Sequence, residues 1–240
     1  KNDKEYKILR EAGRRLSTVL DEVEQLVQLG ITTGELNRVA EERIYALVDV
    51  PSFLNYTPEG ADRPYPAGLC VSVNDEVVHG IPGKRMLKDG DIVGLDIGLL
   101  HEGIFVDMAR TLPVGKVDAK VLALISATKE SLEAGIRAAK SGGHVGDIGA
   151  AIASVARKYK LGIIRELGGH GVGRAVHEEP YIPNFGKAGI GKKLIDGMVL
   201  ALEPMLTLGS YAVRLQPDGY TFITSDGALS AHFEHTIIVT

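Results

Sequence analysis

The sequence predicts an α+β domain made of two similar halves whose equivalent strands meet at a shared centre. Three observations carry this. Helical and strand periodicities succeed one another along all 240 residues with no low-complexity segment or linker. An eight-residue pattern occurs twice: DGDIVGLD at 89–96 and DGMVLALE at 196–203, both D-G-x-aliphatic-aliphatic-small-L-acid. The same motifs also surround each copy in the same order. V-H-x-x-P precedes each (78–82 and 176–180), a helix opening with Gly-acid-aliphatic lies before that (34–36 and 146–148), and a second acid follows behind a strand (Asp107 and Glu234). One match between two ordinary strands would pass for chance; three in one order are harder to dismiss.

The elements follow in turn. Residues 3–29 form an amphipathic helix, with Ile8, Ala12, Leu16, Val19, Val23 and Leu26 at three- and four-residue steps and Gly30 as its stop. Thr32 and Glu35 have capping-box spacing ahead of a helix at 36–47. Residues 51–66, rich in Pro, Gly and Asn, read as a loop. A strand is predicted at 70–78, then a hairpin of 92–100 and 104–114 turning near His101-Glu102-Gly103. Helices are predicted at 118–140 and 145–159. Strands follow near Val176, at 198–202, at 212–215 and at 232–239.

Composition narrows the function. An apolar fraction of 45% and a charged fraction of 24% describe an ordinary globular protein. A net charge of −4 argues against a nucleic-acid surface, and with no Trp there is little for base stacking. No apolar run is long enough for a membrane span, and residues 1–10 are charged, without a signal-peptide core. A single cysteine, Cys70, excludes an internal disulfide and fits a reducing cytoplasm.

The repeated acids carry the chemistry. Asp96 and Glu203 sit in or end apolar runs, where a lone carboxylate is costly to bury. Carboxylates gathered inside a protein imply a cation. Ten residues separate Asp96 from Asp107, so a turn at His101-Glu102 places them opposite one another on one face; a one-residue shift would divide them. With Glu203 and Glu234 they could hold two divalent ions roughly 3.5–4 Å apart. His170, inside GGHGVG (168–173), would complete the set and bias it toward transition metals. That segment could instead be a phosphate-binding glycine loop, but such a loop opens a helix, and Pro180 and Pro183 stand where the helix would run.

His79 and His177 share the V-H-x-x-P position. Each alone reads as a structural histidine; as a pair beside the acid strands they read as hydrogen-bonders to substrate. His101 (in a turn) and His144 (before a helix) read as solvent-facing, His232 offers only a weak case, and His235 should point away from its neighbour Glu234. There is no G-x-S-x-G or H-E-x-x-H, and Cys70 has no nucleophile motif beside it.

On SVNDEVVHGIP (72–82), the Asp96–Asp107 hairpin, GGHGVGRAVHEEP (168–180), ALEPM (201–205) and SAHFEHTIIVT (230–240), the chain resembles the type I methionine aminopeptidases over nearly its whole length. The resemblance implies the pita-bread fold of peptidase family M24: a central antiparallel sheet with helices outside. It would be one catalytic domain over 1–240, with pseudo-repeats of about 1–115 and 116–240. It implies that Asp107, His170, Glu203 and Glu234 hold one metal, and Asp96, Asp107 and Glu234 the other, with Asp107 and Glu234 bridging. The metals would be Co, Mn, Fe or Zn. His79 and His177 would contact the scissile peptide, and Tyr65 and Cys70 would line the methionine site. The family often has Trp where this chain has Tyr220 and Phe where it has Val176, which leaves more room. Residues 57–63 look inserted.

The implied reaction is removal of initiator methionine from nascent chains, preferentially before a small second residue. Glu203 would shuttle the proton, and His177 with the metals would stabilise the oxyanion. The chain is expected to work as a cytoplasmic monomer. The ribosome is a candidate partner, although no basic patch demands it. Two rivals stand beside this: a proline-directed peptidase of the same fold, which carries an added N-terminal domain, and a metal-free module binding nascent chains, which would have lost ligands.

Overall fold

The computed structural model describes residues 3–240; Lys1 and Asn2, at the head of the charged N-terminal stretch, lie outside the described residues. Helix α1 (Asp3–Glu24) buries Leu9, Ala12, Leu16, Val19 and Val23 along one stripe. It ends at Glu24, short of the predicted end at 29. The amides of Leu26 and Val27 tighten onto carbonyls three residues back, and Gly30 N–H then bonds Leu87 O. Helix α2 (Thr33–Ala46) opens on the predicted capping box: Glu35 N–H donates to Thr32 Oγ1, and Thr32 N–H to Glu35 Oε2.

After α2 come β1 (Val50–Pro51), β2 (Leu69–Val73), β3 (Glu76–Val78), β4 (Ile92–His101) and β5 (Ile104–Pro113). Helices α3 (Ala119–Ala138) and α4 (Val145–Tyr159) follow, then β6 (Gly162–Ile163), β7 (Gly168–Gly171), β8 (Glu178–Pro183) and β9 (Val199–Leu202). The chain closes with β10 (Met205–Thr207), β11 (Val213–Leu215), β12 (Phe222–Thr224), β13 (Ser230–His232) and β14 (Glu234–Ile238).

An eight-stranded sheet runs β1-β4-β5-β14-β9-β7-β8, with β2 also on β4, and its pairings are antiparallel. The repeated segments are laid out about its centre. The second-acid strands β5 and β14 pair with each other, and the first-acid strands β4 and β9 flank them. Helices α1 and α2 pack with β2, β4 and β5 in one core, while α3 and α4 share a second with β8, β9 and β14. This is the mixed helix and antiparallel-sheet architecture expected.

Three strand predictions need correction. Residues 70–78 are two strands, because Asn74 takes a left-handed φ of 65° and turns the chain between β2 and β3. No strand passes through Val176; β8 begins at Glu178. Residues 232–239 break at Phe233, where the chain crosses from a smaller sheet, β13-β10-β6, into the eight-stranded one. The partner strand breaks at the same level: Pro204, which has no N–H, separates β9 from β10, and Phe233 N–H bonds Pro204 O. Glu203 and Glu234 therefore both sit at the junction of two sheets.

Candidate metal centre

Register puts the predicted ligands on one face. The hairpin pairs His101 with Ile104, and Glu102 (φ 45°) and Gly103 (φ 80°) form a two-residue turn of the primed kind. Asp96 therefore pairs with Ala109 and Asp107 with Gly98, so the two acids are diagonal rather than directly opposed. A shift of two residues preserves the face, as a shift of one would not. Across the sheet, Cys70 pairs with Asp96, Asp96 with Ala109, and Ala109 with Glu234. Glu203 follows next in the register that pairs Leu202 with His235. On the adjacent rung Asp107 stands opposite Gly98, and His170 opposite Ala201. Gly, Ala and Ala between the ligands leave space in front of the sheet.

Glycines bring His170 close to its neighbours. A Cβ at Gly169 would stand 2.3 Å from Ala201 O, and one at Gly171 2.3 Å from Glu179 O. The glycine-rich segment is thus a strand held tightly between β8 and β9, not the start of a helix.

All ten predicted site residues line one cleft of about 590 Å³ including its open mouth: Asp96, Asp107, His170, Glu203 and Glu234 at the floor, with His79, His177, Tyr65, Cys70 and Tyr220. Phe53, Tyr56 and Pro58, from the Pro- and Gly-rich loop at 51–66, also line it. Asp107, His170 and Glu234 each offer a ligand atom within 4.8 Å of the others. Glu203 Oε1 lies 3.4 Å, and Asp107 Oδ2 3.6 Å, from His170 Nε2.

The floor fits a divalent cation on two observations. His170 Nδ1 is 2.8 Å from Gly171 O, a group that can only accept, so Nδ1 carries the proton. Its Nε2 is then turned toward two carboxylates, Glu203 Oε1 and Asp107 Oδ2, the placement of a metal ligand whose other ring nitrogen is held by a carbonyl. Asp96 Oδ1, moreover, is buried with no hydrogen-bond partner.

Electrostatics agree. Burial pushes Asp96, Glu203 and Glu234 well above the usual carboxylate range, and repulsion within the cluster adds to it. Asp107 is raised by burial but relieved by His170 and by the Thr236 hydroxyl, 2.8 Å from its Oδ1. A carboxyl whose folded pKa lies above its unfolded value stabilises the fold while protonated and loses that contribution as pH rises through the folded value. A bound cation takes the place of those protons. The gain in Tm on adding Mn to metal-free protein should therefore grow from about pH 5 to about pH 8. Differential scanning calorimetry with and without Mn reads this directly; a gain independent of pH would mean that Mn binds away from these acids.

The cleft walls are set by two devices. His79 holds a left-handed φ of 59°, rare for a side-chain-bearing residue. Gly80 pins it: a Cβ there would meet Val71 O at 2.3 Å, and Tyr65 Oη donates to Gly80 O at 2.9 Å. His177 stands at the mouth with Tyr56 Oη 2.8 Å from its Nδ1. Burial first, then nearby imidazoles, lower His79 and His177 to about 4, so both are neutral near pH 7. Burial raises the Cys70 thiol, with Asp96 adding, so it is no thiolate nucleophile. Tyr65 and Tyr220 meet edge to face at 5.1 Å. Residues 57–63 are tied to this wall: Tyr220 Oη donates to Arg63 O, and Arg63 Nη2 donates to Asp218 O at 2.8 Å.

Other histidines depart from expectation. His101 is buried, not solvent-facing; its Nδ1 lies 2.7 Å from Asp49 Oδ1, and Asp49 Oδ2 meets Arg15 at 3.3 Å. His144 is half-buried at the start of α4. Val176 is buried but does not line the cleft, so it adds no room there.

Metallopeptidase family M24 matches residues 7–240. A methionine aminopeptidase of Clostridium perfringens is 44% identical over 239 residues, spanning 100% of this chain and 94% of the relative. The crystal structure of methionine aminopeptidase from Rickettsia prowazekii superposes with a TM-score of 0.96 at 38% identity, covering 100% of this chain and 95% of that one. The Xaa-Pro dipeptidase from Bacillus anthracis gives a TM-score of 0.75 at 22% identity; this chain covers 59% of it, and the likeness is one of fold.

Proposed function

The chain belongs to metallopeptidase family M24, and from that premise we propose that it removes N-terminal methionine from polypeptides, preferentially before a small second residue. Full-length identity to methionine aminopeptidases favours this over proline-directed cleavage, for which the likeness is of fold alone. The single observation that carries the chemistry is Nε2 of His170 set against two buried carboxylates while its Nδ1 is held by Gly171 O.

Two divalent ions are proposed, one on Asp107, His170, Glu203 and Glu234, the other on Asp96, Asp107 and Glu234. When bound they supply Lewis acidity and a water nucleophile available near neutral pH. Glu203, whose Oε1 lies 3.4 Å from His170 Nε2, would take a proton from the water nucleophile and deliver it to the leaving amine. Tyr56 Oη lies 2.8 Å from His177 Nδ1; with the hydroxyl donating there, the ring's proton is on Nε2 and free to donate to the developing oxyanion. His79, fixed by its strained backbone, accepts from the scissile amide N–H or donates to the departing amine. The methionine side chain lies against Tyr65, Cys70 and Tyr220, where a polarizable thioether packs well.

His177→Ala is expected to lower kcat by about 10²-fold or more, in the range for loss of one oxyanion donor, with bound metal unchanged by elemental analysis. Loss of metal in that variant would make His177 a ligand.

Substrates are the N-termini of nascent chains, with ribosome docking as a route to them, and the working form is a monomer in the cytoplasm. No helix among the described residues is long and apolar enough to cross a membrane. The test is release of methionine from Met-Ala-Ser and of leucine from Leu-Ala-Ser, with chelator and after Mn or Co is restored. Metal-dependent cleavage of the first alone supports the reaction and the side-chain site together. Cleavage of both removes the methionine preference; cleavage of neither by metal-loaded protein overturns the reading.

A further inference from the structure

Among the described residues, two buried side-chain polar atoms lack a hydrogen-bond partner: Asp96 Oδ1 and His232 Nε2. The metal centre accounts for the first. Nothing above accounts for the second, and a buried unpartnered ring nitrogen is costly unless it has a task. His232 is 3% exposed at the end of β13, paired with Met205. Its backbone is clamped from one residue: His232 N–H donates to Thr111 Oγ1 and Thr111 Oγ1 donates to His232 O, both at 2.9 Å. The main chain at this ring is thus firmly anchored.

Its Nε2 is 3.8 Å from Glu203 Oε2. The other oxygen of that carboxylate, Oε1, faces His170 Nε2 at 3.4 Å. Glu203 therefore stands between two imidazoles, one per oxygen. It needs such support, because it lies in the break between β9 and β10, where Pro204 offers no N–H. Asn184 Nδ2 bonds its main-chain carbonyl at 3.0 Å, but no described residue hydrogen-bonds its carboxylate.

We infer that His232 is a positioning residue for Glu203: its Nε2–H donates to Oε2 in the metal-loaded protein and keeps the carboxylate turned with Oε1 toward His170. The 3.8 Å separation is longer than a hydrogen bond, and contacts of this kind commonly tighten when a site is filled. The role rests on the reading of Glu203 as proton shuttle, and can fail without it.

The decisive measurement is the tautomer of His232 by nitrogen-15 NMR on the folded, zinc-loaded wild-type protein. The expected result is a proton on Nε2, shifted relative to metal-free protein. A proton on Nδ1 alone, or zinc on Nε2, overturns the proposal. Two variants supply the kinetic side. His232→Gln, whose amide N–H can reach the same oxygen, should keep kcat within a few-fold. His232→Leu should lower kcat by about 10–100-fold, the range for loss of an outer-shell partner, with KM nearly unchanged. A merely structural histidine would lower Tm in both variants and leave kcat of the folded fraction alike, which would also overturn the role. Should His232→Leu fail to fold, the tautomer decides. A normal His232 tautomer beside a fully active Glu203→Gln would instead remove the shuttle reading itself.

Discussion

Glu203→Gln is expected to lower kcat by about 10²–10⁴-fold, the contribution of a positioned proton carrier, with a fold indistinguishable from that of the parent. Glutamine keeps the volume at the sheet junction, and Asn184 still bonds the main-chain carbonyl. What is lost is the carboxylate that faces His170. Because Glu203 is also proposed as a ligand, metal content must be measured with the rate. A variant that holds metal and does not turn over isolates the proton-transfer role, whereas parent-like kcat would end it.

His170→Ala should have a comparable effect by another route. Losing an outer-shell partner of a metal ligand costs about 10–100-fold in affinity, so losing a ligand should cost at least that much. The change also removes the ring that relieves Asp107 and leaves buried like charges facing one another. Weak metal binding by titration calorimetry, a low rate at ordinary Mn concentration and partial recovery at high Mn are expected. The gain in Tm on adding Mn, which at about 100 times Kd is about 2.7 kcal/mol in stability terms, should shrink in parallel. Unchanged Mn affinity would remove His170 from the ligand set.

The ten residues picked out from the sequence all line one cleft. The four acids and the histidine pair were legible because the repeat marks equivalent strands and acids stand out in apolar runs, His170 because of its glycine-rich segment; Tyr65, Cys70 and Tyr220 were implied by the family resemblance alone. Tyr56 was not legible. It lies in a stretch of Pro, Gly and Asn, where neither a three- nor a two-residue period exists to assign a direction to a side chain. His101 was misjudged because a turn residue is ordinarily solvated, and only a contact across 52 positions supplies Asp49 to bury against. His232 was set aside for a similar reason: its neighbour Glu203 is close only because two strands leave one sheet for another at the same level.

The sequence by itself determined the alternation of helices and strands, the two-fold recurrence of acid-bearing strands, and the acids that meet at the cleft floor, since each is written in local spacing. Tertiary structure decided what depends on pairing between distant segments. It chose the turn at Glu102-Gly103, which set Asp96 and Asp107 on a diagonal of one face. It brought β5 against β14, so that four acids share one floor. It also placed the rings of His177 and His232: the Tyr56 hydroxyl, 121 positions away in sequence, lies 2.8 Å from His177 Nδ1, and His232 Nε2 has no hydrogen-bond partner and faces Glu203 at 3.8 Å.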